Sequence, residues 1–152
     1  MTAQTGAPAP AFELRSIDKT PVSSDTLRGH KSLIVFIPFP FTGNFEAELF
    51  MIRDQRAALN DLDANVIAIS CDTPIANGAW SKQNGFDFPL LSDFWPHGAV
   101  TQAYGAFNEM TGSANRVTFV LDAEGIVREV IKTESLGVVR EFEEYTRALA
   151  AI

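Results

Sequence analysis

A single cysteine, Cys71, and two histidines, His30 and His97, are the only thiol and imidazole groups in this chain of 152 residues. One cysteine excludes an intramolecular disulfide and a cysteine-based metal cluster. The histidines stand far apart in sequence with no partners at ligand spacing, so neither a metal nor another cofactor is expected. Basic residues are also scarce: 12 Lys and Arg face 19 Asp and Glu, for a net charge of −7. Such a chain has no basic stripe to neutralise phosphates, which argues against nucleic acid, and anionic membrane surfaces repel it. No apolar run approaches the roughly 20 residues that a membrane helix needs. The opening MTAQTGAPAPAF has neither a basic start nor an apolar stretch, so no signal peptide is expected and the cytoplasm is the expected location.

What is present suits one globular domain, expected over residues 1–152: 46% of the residues are apolar and 20% charged. The organising stretch is LIVFIPFPFTGNFEAELFMIRD, Leu33 to Asp54. Leu33–Ile37 reads as a buried strand, which Pro38 ends because proline offers no N–H to a neighbouring strand. Spacing then turns helical, with Phe45, Leu49 and Ile52 at i, i+4 and i+7 and Thr42 placed as N-cap.

Around this unit, residues 1 to about 10 are expected to be extended or frayed, and Phe12–Arg15 with Pro21–Ser23 to form a hairpin. Ser24 or Asp25 should cap a single helical turn ending at Gly29. The helix after Thr42 should fade near Leu59. Val66–Ser70 reads as a second buried strand, running into Cys71-Asp72-Thr73-Pro74, a turn and helix entry. Ile75–Asn84 should be helical, with Ala76, Ala79 and Trp80 on its apolar side and Gly85 as its stop. A short strand at Leu90–Ser92, a short helix at Ala99–Tyr104 and a strand at Val117–Leu121 follow. The loop Asp122–Gly125 should turn the chain into an antiparallel partner, Ile126–Ile131. Val138–Ile152 should close the fold as a helix, burying Val139, Phe142, Tyr145 and Leu149. Alternating βα units followed by an antiparallel pair imply an α/β protein with a mixed sheet and helices on both faces.

Pro38, Thr42 and Glu48 carry the spacing P-x-x-x-T-x-x-C-x-x-E, the active-site motif of the peroxiredoxins (AhpC/TSA family). With GAPAPAFEL, VIAISCD, FDFPLLSDFWPHGAVTQAYGAFNE and GSANRVTFVLDAEGIVR, the chain resembles that family from about Ala7 to Ala150. The segment FPLLSDFWPHGAV, with AYG and FNE, resembles its one-cysteine, AhpE-type alkyl hydroperoxide reductases most. The resemblance implies a thioredoxin-like (peroxiredoxin) fold with an N-terminal hairpin extension. It also implies roles: Pro38 shielding the nucleophile, Thr42 bonding the peroxide or thiolate, Glu48 holding Arg116, and Arg116 lowering the thiol pKa and polarising the O–O bond. The nucleophile's own position holds Phe45.

A phenyl ring can neither attack a peroxide nor carry a sulfenic acid. The expectation is therefore an AhpE-like protein without thiol peroxidase activity, with a ligand- or partner-binding role on the Pro38/Thr42/Glu48/Arg116 scaffold. A hydroperoxide or a small anion is the ligand class that scaffold suggests. The alternative is a thiol-dependent hydroperoxide reductase, either disabled at position 45 or using Cys71 as a relocated redox thiol. Peroxiredoxins pair through the edge that would carry Phe39, Phe41, Phe94 and Trp95. A homodimer is therefore expected, with an active peroxiredoxin paralogue as another possible partner.

Overall fold

The computed structural model describes residues 3–132 and 142–152; the side chains of residues 43–45 lie outside that description. Strands β1 (Glu13–Arg15) and β2 (Pro21–Ser23) form the expected hairpin, followed by one helical turn, α1 (Ser24–Leu27). Its N-cap is Ser23, one residue earlier than the sequence suggested, and the Ser23 N–H donates to the Thr26 hydroxyl at 3.2 Å. Strand β3 (Lys31–Phe36) leads through a loop to α2 (Gly43–Asp54) and α3 (Arg56–Asp61). The single helix expected here is broken at Gln55, whose backbone (φ −115°, ψ 27°) leaves the helical region.

Next come β4 (Ala64–Ser70), α4 (Pro74–Asn84), β5 (Leu90–Ser92) and α5 (Ala99–Ala103). The α4 start is built as its sequence demands. Thr73 accepts from the Ala76 N–H at 3.2 Å, Pro74 fills the first turn, and Gly85 closes the helix in the left-handed region at φ 64°. Its buried face, however, is Asn77 and Trp80, while Ala79 is exposed. Asn77 is tolerated inside because it accepts from the Ser70 hydroxyl at 2.7 Å and donates to the Leu91 carbonyl.

A two-stranded hairpin, β6 (Phe107–Asn108) with β7 (Ser113–Ala114), was not foreseen, because two-residue strands leave no alternation to read. The chain ends with β8 (Val117–Leu121), β9 (Val127–Lys132) and α6 (Phe142–Ala150). Phe142, Tyr145 and Leu149 are buried as expected; Val139 and the first part of that expected helix lie outside the described residues.

The main sheet has the order β2-β1-β5-β4-β3-β8-β9, with β3, β4 and β5 parallel and the remaining pairs antiparallel. Its two faces bury separate clusters. One joins Leu33, Val35, Val66, Ala68 and Val120 to Leu49, Ile52, Trp80, Tyr145 and Leu149 from the helices. The other joins Ile34, Phe36, Ile67, Ile69 and Phe119 to Leu27, Phe12 and Tyr104. The alternation along β3 and β4 thus feeds both layers. The N-terminal segment is extended but not frayed: Gly6 N–H donates to Val127 O at 2.7 Å and Ala9 N–H to Gly125 O at 2.9 Å, so residues 6–9 line the β9 edge.

The β8–β9 turn gives the fold a pH dependence. Burial works to raise the Asp122 carboxyl, but the Ile126 amide, the Arg128 guanidinium and the Glu124 amide outweigh it and hold it below its ordinary value. A carboxyl lowered by folding stabilises the native state above its unfolded pKa, and that share is lost as pH falls through the depressed folded value. Asp122→Asn should therefore lower Tm at neutral pH and shrink the gap to wild type on the acid side. Thermal melts across the acid range check this, and parallel curves at all pH values would contradict it.

Candidate active site

Phe36 ends β3, yet the Ile37 N–H still reaches Ile69 O at 3.0 Å before the buried Pro38 stops the ladder. The loop then turns sharply at Phe41, a non-glycine residue at φ 63° in the left-handed region, where strain concentrates at functional turns. Thr42 is the N-cap of α2, and its carbonyl accepts the first helical bond from Glu46 N–H at 3.0 Å. Its hydroxyl does not cap. It donates to the Phe39 carbonyl at 2.8 Å and so ties down the loop instead. Glu46, in the first turn, accepts from the Trp80 indole N–H at 3.0 Å, fixing the start of α2 to α4.

Glu48 and Arg116 meet as a buried ion pair. Arg116 Nη2 donates to Glu48 Oε1, with the two residues 1% and 2% exposed. Arg116 stands directly before β8, two residues from Thr118 and on the same sheet face. Behind it the Thr118 and Tyr145 hydroxyls lie 3.2 Å apart, both fully buried. Buried charges are stable only when paired and hydrogen-bonded, so α2, β8 and α6 must pack in this arrangement.

Cys71 sits elsewhere. It extends β4 by one residue and, by alternation with Ile67 and Ile69, faces the layer that holds α5. Its Sγ lies 3.5 Å from the Thr101 hydroxyl, which donates to Asp93 at 2.6 Å. Asp93, itself buried, also accepts the Val100 and Thr101 amides at the start of α5. Burial pushes the Cys71 thiol up; the Thr101 contact opposes this, and the Asp93 and Asp72 carboxylates add to the rise. That environment keeps the sulfur a thiol, the unreactive form.

The structure thus pairs Glu48 with Arg116, places Thr42 at the start of α2 and Pro38 at the end of the β3 ladder, and puts Cys71 on the sheet face opposite Arg116. Asp93, Thr118 and Tyr145 were not singled out as polar partners from the sequence. An Asp shortly before a short helix is a readable capping signal, whereas Tyr145 showed only its apolar spacing. Among the described residues, no group of three or more His, Cys, Asp or Glu side chains could hold a metal ion.

The family model for the AhpC/TSA family matches residues 5–130. Alkyl hydroperoxide reductase E of Mycobacterium tuberculosis is 47% identical over 148 residues, covering 97% of this chain and 96% of the relative. A putative peroxiredoxin in the rubredoxin operon of Clostridium pasteurianum is 31% identical, covering 96% and 87%. Among solved structures, peroxidoxin BcpB from Mycobacterium tuberculosis superposes with a TM-score of 0.88 at 27% identity, covering 99% of this chain and 98% of that one. AhpC of Enterococcus faecalis gives 0.86 at 25% identity, covering 99% and 92%.

Arg116→Met should destabilise the fold by about 3–5 kcal/mol, because it leaves the Glu48 carboxylate buried without its guanidinium. At about 2–4 °C per kcal/mol for a chain of this size, Tm should fall visibly. Adding Glu48→Leu should recover much of the loss, since an apolar pair needs no compensation. Additive losses in the double variant, measured by denaturant melts, would contradict this coupling.

Proposed function

This chain belongs to the AhpC/TSA family, and from that premise we propose that it is an AhpE-like protein that has lost thiol peroxidase chemistry at position 45 and acts by binding. Phe45 stands in the motif where the family places its nucleophile, between Thr42 and Glu48. The observation that carries the proposal is the state of the one thiol the chain has. Cys71 is 4% exposed, raised in pKa by burial and faced by carboxylates. A peroxidatic thiol needs the reverse, an accessible site that favours the anion. Glu48 and Arg116 would serve an active relative by orienting a cation beside the thiolate; in this chain their pairing braces α2 against β8.

A second copy of the chain is the partner this proposal favours. Phe39, Phe41, Phe94 and Trp95 are all exposed, Trp95 at 82%, and large exposed apolar side chains mark interaction surfaces. An active relative pairing through the same edge is the other partner of the same kind. No helix of the described residues is long and apolar enough to cross a membrane, and the single-cysteine composition supports a cytoplasmic setting.

Phe45→Cys tests whether the scaffold is a peroxidase site lacking only its nucleophile. The variant should gain rapid, stoichiometric peroxide consumption, with the new thiol titrating below the ordinary ~8.5 under the influence of Arg116 and the start of α2. A variant that reacts only as an unperturbed thiol does would show that the pocket has been rebuilt for another use.

A further inference from the structure

We propose that His97 is a pH-sensitive tie between the Asp93–Gly98 loop and the β6–β7 hairpin, closed while its ring carries both protons and loosened when it loses one. His97 Nδ1 lies 3.1 Å from the Phe94 carbonyl and Nε2 lies 2.7 Å from the Gly112 carbonyl. Carbonyl oxygens only accept, and a neutral imidazole has a single N–H to donate. Both contacts are hydrogen bonds only in the doubly protonated ring. Each ring nitrogen reaches a different piece of chain, so losing one proton releases one piece from the other.

The surroundings make this a built joint. Phe94 and Phe107 pack on the imidazole nearly perpendicular to it, with ring centroids 5.7 and 6.1 Å away. Gly98 adopts φ 69°, and a Cβ there would fall 2.4 Å from the Phe107 ring, so the loop lies directly on the hairpin. The titratable groups on the elements around the ring are three carboxylates. Asp93 belongs to its own loop, with its oxygens held by the start of α5. Asp72 lies in the β4–α4 turn, where burial pushes its carboxyl up and the charge of His97 pulls it back. Glu109 lies in the hairpin turn, and α5 contributes no charged residue.

What the tie holds gives it consequence. At one end are the exposed Phe94 and Trp95; at the other is the hairpin tip with Met110, 96% exposed. The hairpin passes through Asn115, whose N–H donates to Ala106 O at 2.7 Å, straight into Arg116. Loosening the tie therefore acts on both an exposed apolar surface and the chain that delivers the buried arginine.

The test is NMR on isotopically labelled protein between about pH 5 and pH 8, the range in which imidazoles titrate. Ring nitrogen shifts report the protonation of His97. Amide exchange at Gly98 and Gly112, which donate to Asp93 O and Asn108 O, reports the joint. Protection, corrected for intrinsic exchange, should fall on the order of tenfold as the ring loses its proton, the effect of one charged hydrogen bond. In His97→Gln, whose amide donates from one nitrogen at every pH, that dependence should vanish. Unchanged protection while the ring titrates, the same fall in His97→Gln, or a ring whose protonation is constant across the range would each overturn the proposal.

Discussion

Two opposite charges sit where water does not reach, Glu48 in α2 and Arg116 directly before β8, and the packing of α2 against β8 depends on them staying together. Moving either charge into a protein interior alone costs several kcal/mol, so packing that parts them is penalised steeply. The constraint closes a loop in the fold. β3 delivers the chain to α2, β3 also pairs with β8, and the ion pair joins α2 back to β8.

The same sheet that builds this site keeps it apart from the chain's only thiol. β4 lies beside β3 in parallel, so Cys71 and Pro38 leave the sheet at the same edge, where open α/β folds place their chemistry. Alternation nevertheless turns Cys71 toward α5 and Arg116 toward α2. The guanidinium that could favour a thiolate is on one face, and the thiol sits on the other among Thr101, Asp93 and Asp72. Family membership fixes the scaffold; these local charges decide what the single thiol can do.

Much of the architecture was legible because its signals are strong and local. Leu90–Ser92 and Val117–Leu121 are bounded by turn residues, and the Thr73-Pro74 start and Gly85 stop of α4 are chemically explicit. The Glu48–Arg116 pairing was legible only through the resemblance, since 68 residues separate the partners. The break at Gln55 and the burial of Asn77 in place of Ala79 were not legible, because both are set by tertiary packing that overrides propensity. The N-terminal stretch was read as extended or frayed, and residues 6–9 are extended and docked, since their backbone groups, which carry no sequence signature, complete the β9 edge.

The central claim is that this scaffold carries no working peroxidatic sulfur, and the most direct test follows the atoms. Reduced protein and its Cys71→Ser variant are mixed with a slight excess of hydroperoxide, with consumption and intact mass recorded together. The account predicts consumption no faster than that of an ordinary buried thiol, with no rapid gain of oxygen that depends on Cys71. Slow oxygen addition at the exposed Met110 would be common to both proteins. Fast stoichiometric consumption, with one oxygen gained by the wild type and none by Cys71→Ser, would contradict it and make Cys71 the nucleophile.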